Sequence, residues 1–276
     1  EGRDEWPGRK AMPCVSSKQS NRQRMATGEY AALPALSGGP QGVGSSKDFL
    51  PMKTAQAAFF ADQGYVRLEG FHPRSRMVAI RQKLLDEFKR LSEGKGMPAP
   101  VRGLPVFQQI GKLSSLVRLP GLHESLVTRE LLAEVTRLAG RAPAMVQDVE
   151  PLLSPARQGA STLQGLNWHV DVAAKPQDRL PGIQAFFLID DVAVGGGGTL
   201  ALAGSHRLGT SSDLRRILRT AENLERRLQE FAVSVVEMSG RAGDIFLMDM
   251  RLLHTPSINS TKHVRMMATS RCFLDP

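Results

Sequence analysis

The chain changes its hydrophobic rhythm near its middle. From Thr54 to Ala139 apolar positions recur at helical spacing, and from Ala144 onward they alternate in short runs broken by turns. In the first half, Thr54 can cap a short helix over Ala55–Gln63, Gly64 stops it, and Tyr65-Val66-Arg67-Leu68 reads as a strand. Met77, Ile80, Leu84, Leu85 and Phe88 line one face of a helix over Pro73–Leu91. Residues 93–112 are rich in Gly and Pro and read as a long loop, a candidate lid over a site. A further helix is expected from Gly121 to Ala139. In the second half, strands are expected near 144–150, 165–172, 183–189, 199–203, 231–238, 244–249 and 264–273. One helical insert, 213–230, interrupts them, capped by Ser211 or Ser212, with Leu214, Ile217, Leu218, Leu224 and Leu228 on its apolar side. Many short strands separated by turns point to an all-β barrel or sandwich with helices flanking it.

Residues 1–50 break the pattern altogether. They are rich in Gly, Ser, Pro, Gln and Lys with few periodic apolar positions, and read as a disordered or loosely attached tail ahead of one domain over 51–276. A hydrophobic fraction of 41% supplies a real core, and no apolar run is long enough for a membrane span. Cys14 and Cys272 stand at opposite ends, so no disulfide framework is expected. With no charged segment leading into an apolar run near the first residue, a cytoplasmic setting is expected. The net charge of +9 raises the question of nucleic acid. Lys and Arg are spread along the whole chain and aromatics make up 5% of it, so no basic patch with stacking rings is available. A solvated basic surface, or an anionic small-molecule substrate, fits the charge better. The sequence leaves the oligomeric state open.

The candidate chemistry lies in Asn167-Trp168-His169-Val170-Asp171. On a strand, side chains two apart share a face, so the His169 imidazole and the Asp171 carboxylate point the same way. That pair also occurs on solvated strands with no ligand. A third ligand is needed, and His254 in Leu252-Leu253-His254-Thr255-Pro256 is the best candidate. Two His and one carboxylate with the other positions open form the facial triad of non-haem Fe(II) oxygenases. Such a site needs a two-electron co-substrate. 2-Oxoglutarate is one, and its distal carboxylate needs a buried cation. Arg265 suits it, because a guanidinium fork binds a carboxylate through two parallel hydrogen bonds.

The order of motifs then resembles a known family. His169-x-Asp171, the run Gly197-Gly198-Thr199-Leu200-Ala201-Leu202-Ala203-Gly204-Ser205-His206, Gly243-Asp244-Ile245-Phe246, His254 and Arg265 follow one another as in the phytanoyl-CoA dioxygenases. Phe59-Phe60-Ala61-Asp62-Gln63-Gly64-Tyr65-Val66 is similar to that family's N-terminal stretch, so the likeness spans residues 54–273. The resemblance implies a double-stranded β-helix (a jelly-roll, cupin-like fold) and an Fe(II)- and 2-oxoglutarate-dependent dioxygenase that uses O2. It implies iron on His169, Asp171 and His254, and the C5 carboxylate of 2-oxoglutarate on Arg265. Phe186 stands where members often carry a Trp beside the co-substrate, Thr255 or Ser257 where they carry a small hydroxyl residue, and Gln147 where some touch the co-substrate. His206 then reads as a turn residue rather than a ligand, and Gly195–Gly198 as a flexible turn. Arg271 lies six residues after Arg265, so on an unbroken strand it shares Arg265's face and is a candidate for an acidic substrate group. Related halogenases replace the carboxylate by Ala or Gly. Asp171 is present, so hydroxylation or a related oxidation of a small molecule, in secondary metabolism for example, is the expected activity. Desaturation, cyclisation and epimerisation on the same iron site, or a non-catalytic jelly-roll binding protein, are the alternatives.

Overall fold

A computed structural model describes residues 49–93, 97–160, 162–175, 178–208 and 211–274. The first half is helical: α1 (Phe49–Gln63), then β1 (Tyr65–Leu68), α2 (Arg74–Ser92), α3 (Ala99–Arg102), α4 (Val106–Leu116), α5 (Leu122–Leu126) and α6 (Arg129–Ala139). The second half carries β2 (Met145–Val146), β3 (Glu150–Ser154), β4 (Gly182–Leu188), β5 (Thr199–Ala203), α7 (Ser211–Thr220), α8 (Leu224–Glu230), β6 (Ser234–Glu237), β7 (Ile245–Asp249), β8 (His254–Pro256) and β9 (Arg265–Phe273). One antiparallel sheet runs β1-β7-β4-β9-β2, with β3 also on β9, and a second runs β6-β5-β8. Among the described residues no helix is long and apolar enough to cross a membrane.

Strand periodicity sorts the core into layers. On β4, Ile183, Ala185 and Phe187 join a cluster that includes Met77, Leu84, Leu113, Leu126, Leu131 and Val135 from the helices. Phe186 and Leu188 join a different cluster with Tyr65, Phe246, Met248, Met267, Ala201 and Val236. Successive side chains of one strand point to opposite faces, so the first cluster is the helix-covered outside of the larger sheet and the second is the space between the sheets. Leu200, Leu202 and Leu253 face away from that space, against Trp168, Leu214, Leu218 and Leu228. The order is therefore helices, large sheet, interior, small sheet, then α7 and α8. The interior is where β4, β8 and β9 can meet.

Several elements differ from the expectation. The helix expected over 55–63 begins at Phe49, so the last two residues of the expected tail belong to α1, and the rest of the tail lies outside the described residues. The 93–112 loop is replaced by α3 and the first half of α4. Pro98 (φ −53°) and Pro105 (φ −54°) sit at their N-caps, so prolines that read as loop start helices instead. Val101 and Leu113 are fully buried, and the Ser114 hydroxyl accepts the Leu153 amide at 3.0 Å. At about 1.5–3 kcal/mol per buried apolar side chain, these contacts hold α3 and α4 against the core and α4 against β3, where a loop was expected. The helix expected over 121–139 divides at Thr128, whose Oγ1 accepts the Leu131 amide and so caps α6. The 213–230 insert divides likewise, with Asn223 at the start of α8. Beyond the expected strands are β3 and β8. Glu150 and Pro151 obscure β3, and Pro151 is tolerated there because β3 pairs with β9 alone.

Two buried groups fix how the layers join. Gly64 (φ +78°) turns α1 into β1, and a Cβ there would stand 2.5 Å from His206 Nδ1. His206 Nε2 donates to the Ala61 carbonyl at 3.0 Å, so His206 fastens this turn. His72 is 2% exposed, donates from Nε2 to the Leu126 carbonyl at 3.1 Å, and accepts Arg76 Nη1 on Nδ1 at 3.0 Å. Burial first, then the Arg76 cation, hold its pKa down at about 4. The unfolded chain takes up that proton near its ordinary value while the folded chain refuses it until about pH 4. Stability is therefore lost as pH falls through this window, by about 2 kcal/mol between pH 7 and pH 5 from this residue alone. Urea unfolding of the wild type and His72→Gln at both pH values is expected to show a fall in stability smaller by that amount in the variant.

Candidate metal centre

The segment that carries His169 and Asp171 is not the regular strand expected at 165–172. A 3-10 turn over Leu163–Gly165 precedes it, and it makes one isolated bridge, His169 to His254. The reason is the length of β8. Three residues give His169 one partner, through His169 N to His254 O at 2.9 Å and His254 N to His169 O at 2.8 Å. Beyond it the amides of Asp171 and Val172 both turn onto the Met250 carbonyl, at 3.2 Å each. The ladder breaks, but the backbone bonds set His169 directly opposite His254.

The side chains converge. One ligand atom each from His169, Asp171 and His254 lies within 4.8 Å of the others. His254 Nε2 is 3.6 Å from Asp171 Oδ2, and the two imidazole centroids are 4.3 Å apart. His169 Nδ1 donates to the Asn167 carbonyl at 3.1 Å, and His254 Nδ1 to the Leu252 carbonyl at 3.0 Å. A carbonyl only accepts, so both protons sit on Nδ1 and both Nε2 atoms present lone pairs. Burial, then the neighbouring His169 ring, pushes the His254 pKa down to about 4, which keeps its ring neutral. Asp171 Oδ2 is buried without a hydrogen-bond partner. An orphaned buried carboxylate oxygen beside two imidazole lone pairs is costly unless a cation joins them. The donor set, two nitrogens and one oxygen, suits a divalent iron.

Arg265 lies on the interior face of β9, 5% exposed. Its Nε donates to the Gly197 carbonyl at 2.8 Å and its Nη1 to the Leu152 carbonyl at 2.7 Å. Burial lowers its pKa to about 10, opposed by the charge of Glu237, so it stays cationic. Glu237 was not anticipated. Its carboxylate accepts the amides of Gly195 at 2.9 Å and Gly198 at 3.3 Å, and burial raises its pKa. It thereby anchors the glycine turn whose Gly197 carbonyl holds Arg265. Gly197 has φ +84°, and a Cβ there would lie 2.8 Å from that of Asn259. The run is thus a packed cradle, not the flexible turn expected. The available signal was an acidic residue in an otherwise apolar strand, Val235-Val236-Glu237-Met238, near a glycine run.

The other expected site residues are placed as follows. Phe186 points into the interior, edge-on to His254 with centroids 6.3 Å apart. Thr255 is fully buried but follows His254 on β8, so it faces the outer cluster, and its hydroxyl donates to the Pro256 carbonyl. Ser257 donates to the Gly198 carbonyl at 2.6 Å, on the glycine turn. Gln147 lies just past β2 and is exposed. Arg271 is not a free cation at the rim: its Nη2 donates to Asp171 Oδ1 at 3.0 Å.

The family model for phytanoyl-CoA dioxygenase matches residues 60–267. The chain belongs to that family. It is a non-haem iron, 2-oxoglutarate-dependent enzyme on a double-stranded β-helix. Similar solved structures share the fold. The non-heme alpha ketoglutarate dependent epimerase SnoN from nogalamycin biosynthesis is 22% identical, with a TM-score of 0.50 over 80% of this chain and 82% of that one. EvdO2 from Micromonospora carbonacea var. aurantiaca, complexed with 2-oxoglutarate, is 19% identical, with a TM-score of 0.54 over 85% and 93%. EctD from S. alaskensis, with 2-oxoglutarate and 5-hydroxyectoine, is 18% identical, with a TM-score of 0.56 over 79% and 75%. No curated protein matches the chain.

Proposed function

We propose that the protein oxidises a C–H bond of a small organic molecule, with Fe(II) held by His169, Asp171 and His254 and the distal carboxylate of 2-oxoglutarate held by Arg265. The observation that carries this reading is the converging donor set, completed by the orphaned Asp171 Oδ2. Iron with 2-oxoglutarate and O2 supplies the oxidising power, at the expense of decarboxylating the co-substrate to succinate and CO2. The chain's own work is placement. The Asn167 and Leu252 carbonyls orient the two imidazoles, and Gly197 and Leu152 aim the guanidinium. Phe186 and Met267 help to line the interior with apolar surface, which strengthens charge interactions at the site by excluding water. The basic charge of the chain supports an anionic substrate or a carrier-bound one. Hydroxylation is the reading we favour. SnoN shows that this fold also hosts an epimerase, and identifying the product separates the two.

Anaerobic addition of Fe(II) and 2-oxoglutarate to the purified protein is expected to produce the weak visible charge-transfer band of the chelated co-substrate. Admitting O2 should then release succinate. A protein that takes up Fe(II) but gives neither band nor succinate refutes the co-substrate assignment, and one that takes up no metal refutes the centre.

A further inference from the structure

The unexplained feature beside the metal centre is the bond from Arg271 to Asp171. β2 pairs Val146 with Cys272, and β3 pairs Glu150 with Thr269. Between those pairs lie three residues on one strand, Gln147, Asp148 and Val149, and two on the other, Ser270 and Arg271. The strand therefore carries a one-residue bulge opposite Arg271, a device that re-aims side chains. The register of β3, in which partner numbers sum to 419, would place Asp148 across from Arg271. The extra residue gives that position to Gln147 instead. Gln147 N donates to the Arg271 carbonyl at 2.9 Å, and Ser270 Oγ donates to the Gln147 carbonyl at 2.7 Å. The side chain of Asp148 stands 98% exposed, turned toward His123. Arg271 thus meets a neutral amide, Gln147 Oε1 at 3.4 Å from Nη1, where a competing carboxylate would otherwise lie. Its Nη2 is left for Asp171 Oδ1 at 3.0 Å, and that carboxylate is 9% exposed.

We propose that Arg271, aimed by this bulge, is a positioning residue that fixes Asp171 as a one-oxygen ligand. The inference rests on the iron assignment above. A carboxylate can offer a metal one oxygen or both. With Oδ1 committed to a charge-assisted hydrogen bond, Oδ2 alone faces His254 Nε2, and the rest of the coordination sphere stays free for the co-substrate. Without Arg271, the carboxylate is free to rotate or to present both oxygens.

The test is anaerobic titration of the whole protein with Co(II), read by its visible ligand-field bands, in the wild type and in Arg271→Met, Arg271→Lys, Asp171→Ala and the Arg271→Met/Asp171→Ala double variant. Arg271→Met is expected to weaken Co(II) binding by about 10- to 100-fold and to alter the band shape, as partners of metal ligands do. Arg271→Lys should recover part of the loss, and in the Asp171→Ala background Arg271→Met should change little. Equal weakening in both backgrounds overturns the proposal, because Arg271 would then act through the packing of the surrounding strands and not through Asp171, its field alone being repulsive to a cation. Wild-type affinity and bands in Arg271→Met also overturn it and return Arg271 to a substrate role. Thermal unfolding of the apo proteins separates a folding defect from either result, and Arg271→Lys carries the comparison if Arg271→Met does not fold. A wild type that binds Co(II) no better than His169→Ala removes the iron assignment and this inference with it.

Discussion

His254→Ala is expected to eliminate turnover and to weaken Fe(II) binding by well over about 100-fold, while the apo protein keeps its fold. The magnitude follows from what the ring does. Loss of a hydrogen-bond partner to a ligand already costs about 10- to 100-fold in metal affinity, and here a proposed ligand itself is removed. The site cannot compensate, because the ring is 3% exposed and no other His, Cys, Asp or Glu joins the cluster among the described residues. The fold survives for a different reason. The bonds that set β8 against residue 169 are backbone bonds, His169 N to His254 O and His254 N to His169 O, and alanine keeps both. Removing the ring also relieves the cost of burying it beside Asp171. Metal content, succinate release and thermal unfolding measured together check the claim. Loss of metal and turnover with an unchanged apo melting temperature is the expected pattern, and a variant that retains iron and turnover refutes the assignment.

Much of this site was legible because it is written in residue types whose chemistry is narrow. His169, Asp171 and His254 are a donor set, and Arg265 is the residue a carboxylate needs. The route to the geometry was different from the one the sequence suggested. Alternation on a strand was the argument for His169 and Asp171 sharing a face. The chain instead leaves the ladder after one pair, because β8 is too short to carry more, and the Met250 carbonyl gathers the next amides. Alternation, had it been applied to Thr255, would have turned it outward next to His254, away from the co-substrate role that the resemblance implied. Parity placed Arg271 on Arg265's face, but nothing local reveals that its partner is Asp171, 100 residues away in sequence. The bulge at Gln147 is equally invisible, since it exists only as a mismatch between two registers on β9. Prolines misled at α3 and α4, where the same fixed φ that suits a turn also starts a helix. Glu237 went unread because a buried acid in an apolar strand has meaning only once the glycine turn is seen above it.

Arg265→Met is expected to separate the two halves of the site, sparing the metal and losing the co-substrate. Methionine keeps much of the side chain's length and apolar stem but removes the charge and all five donors. Truncating one partner of a buried charged pair costs about 2–5 kcal/mol, which corresponds to about 30- to 4,000-fold in affinity for 2-oxoglutarate. Arg265 sits at the upper part of that range for three reasons. It is 5% exposed, its Nε and Nη1 are already fixed on the Gly197 and Leu152 carbonyls, and the cradle is tied down by Glu237. Little rotamer freedom is lost when it binds, so little of the interaction is offset. Arg265→Lys keeps the charge but not the planar fork, so it should fall between the wild type and Arg265→Met. The measurement is the KM for 2-oxoglutarate in the succinate assay beside anaerobic Fe(II) affinity. A raised KM at unchanged metal affinity is the opposite of the His254→Ala pattern. Equal losses in both would mean that Arg265 supports the interior as a whole, and an unchanged KM would place the co-substrate's carboxylate on another cation.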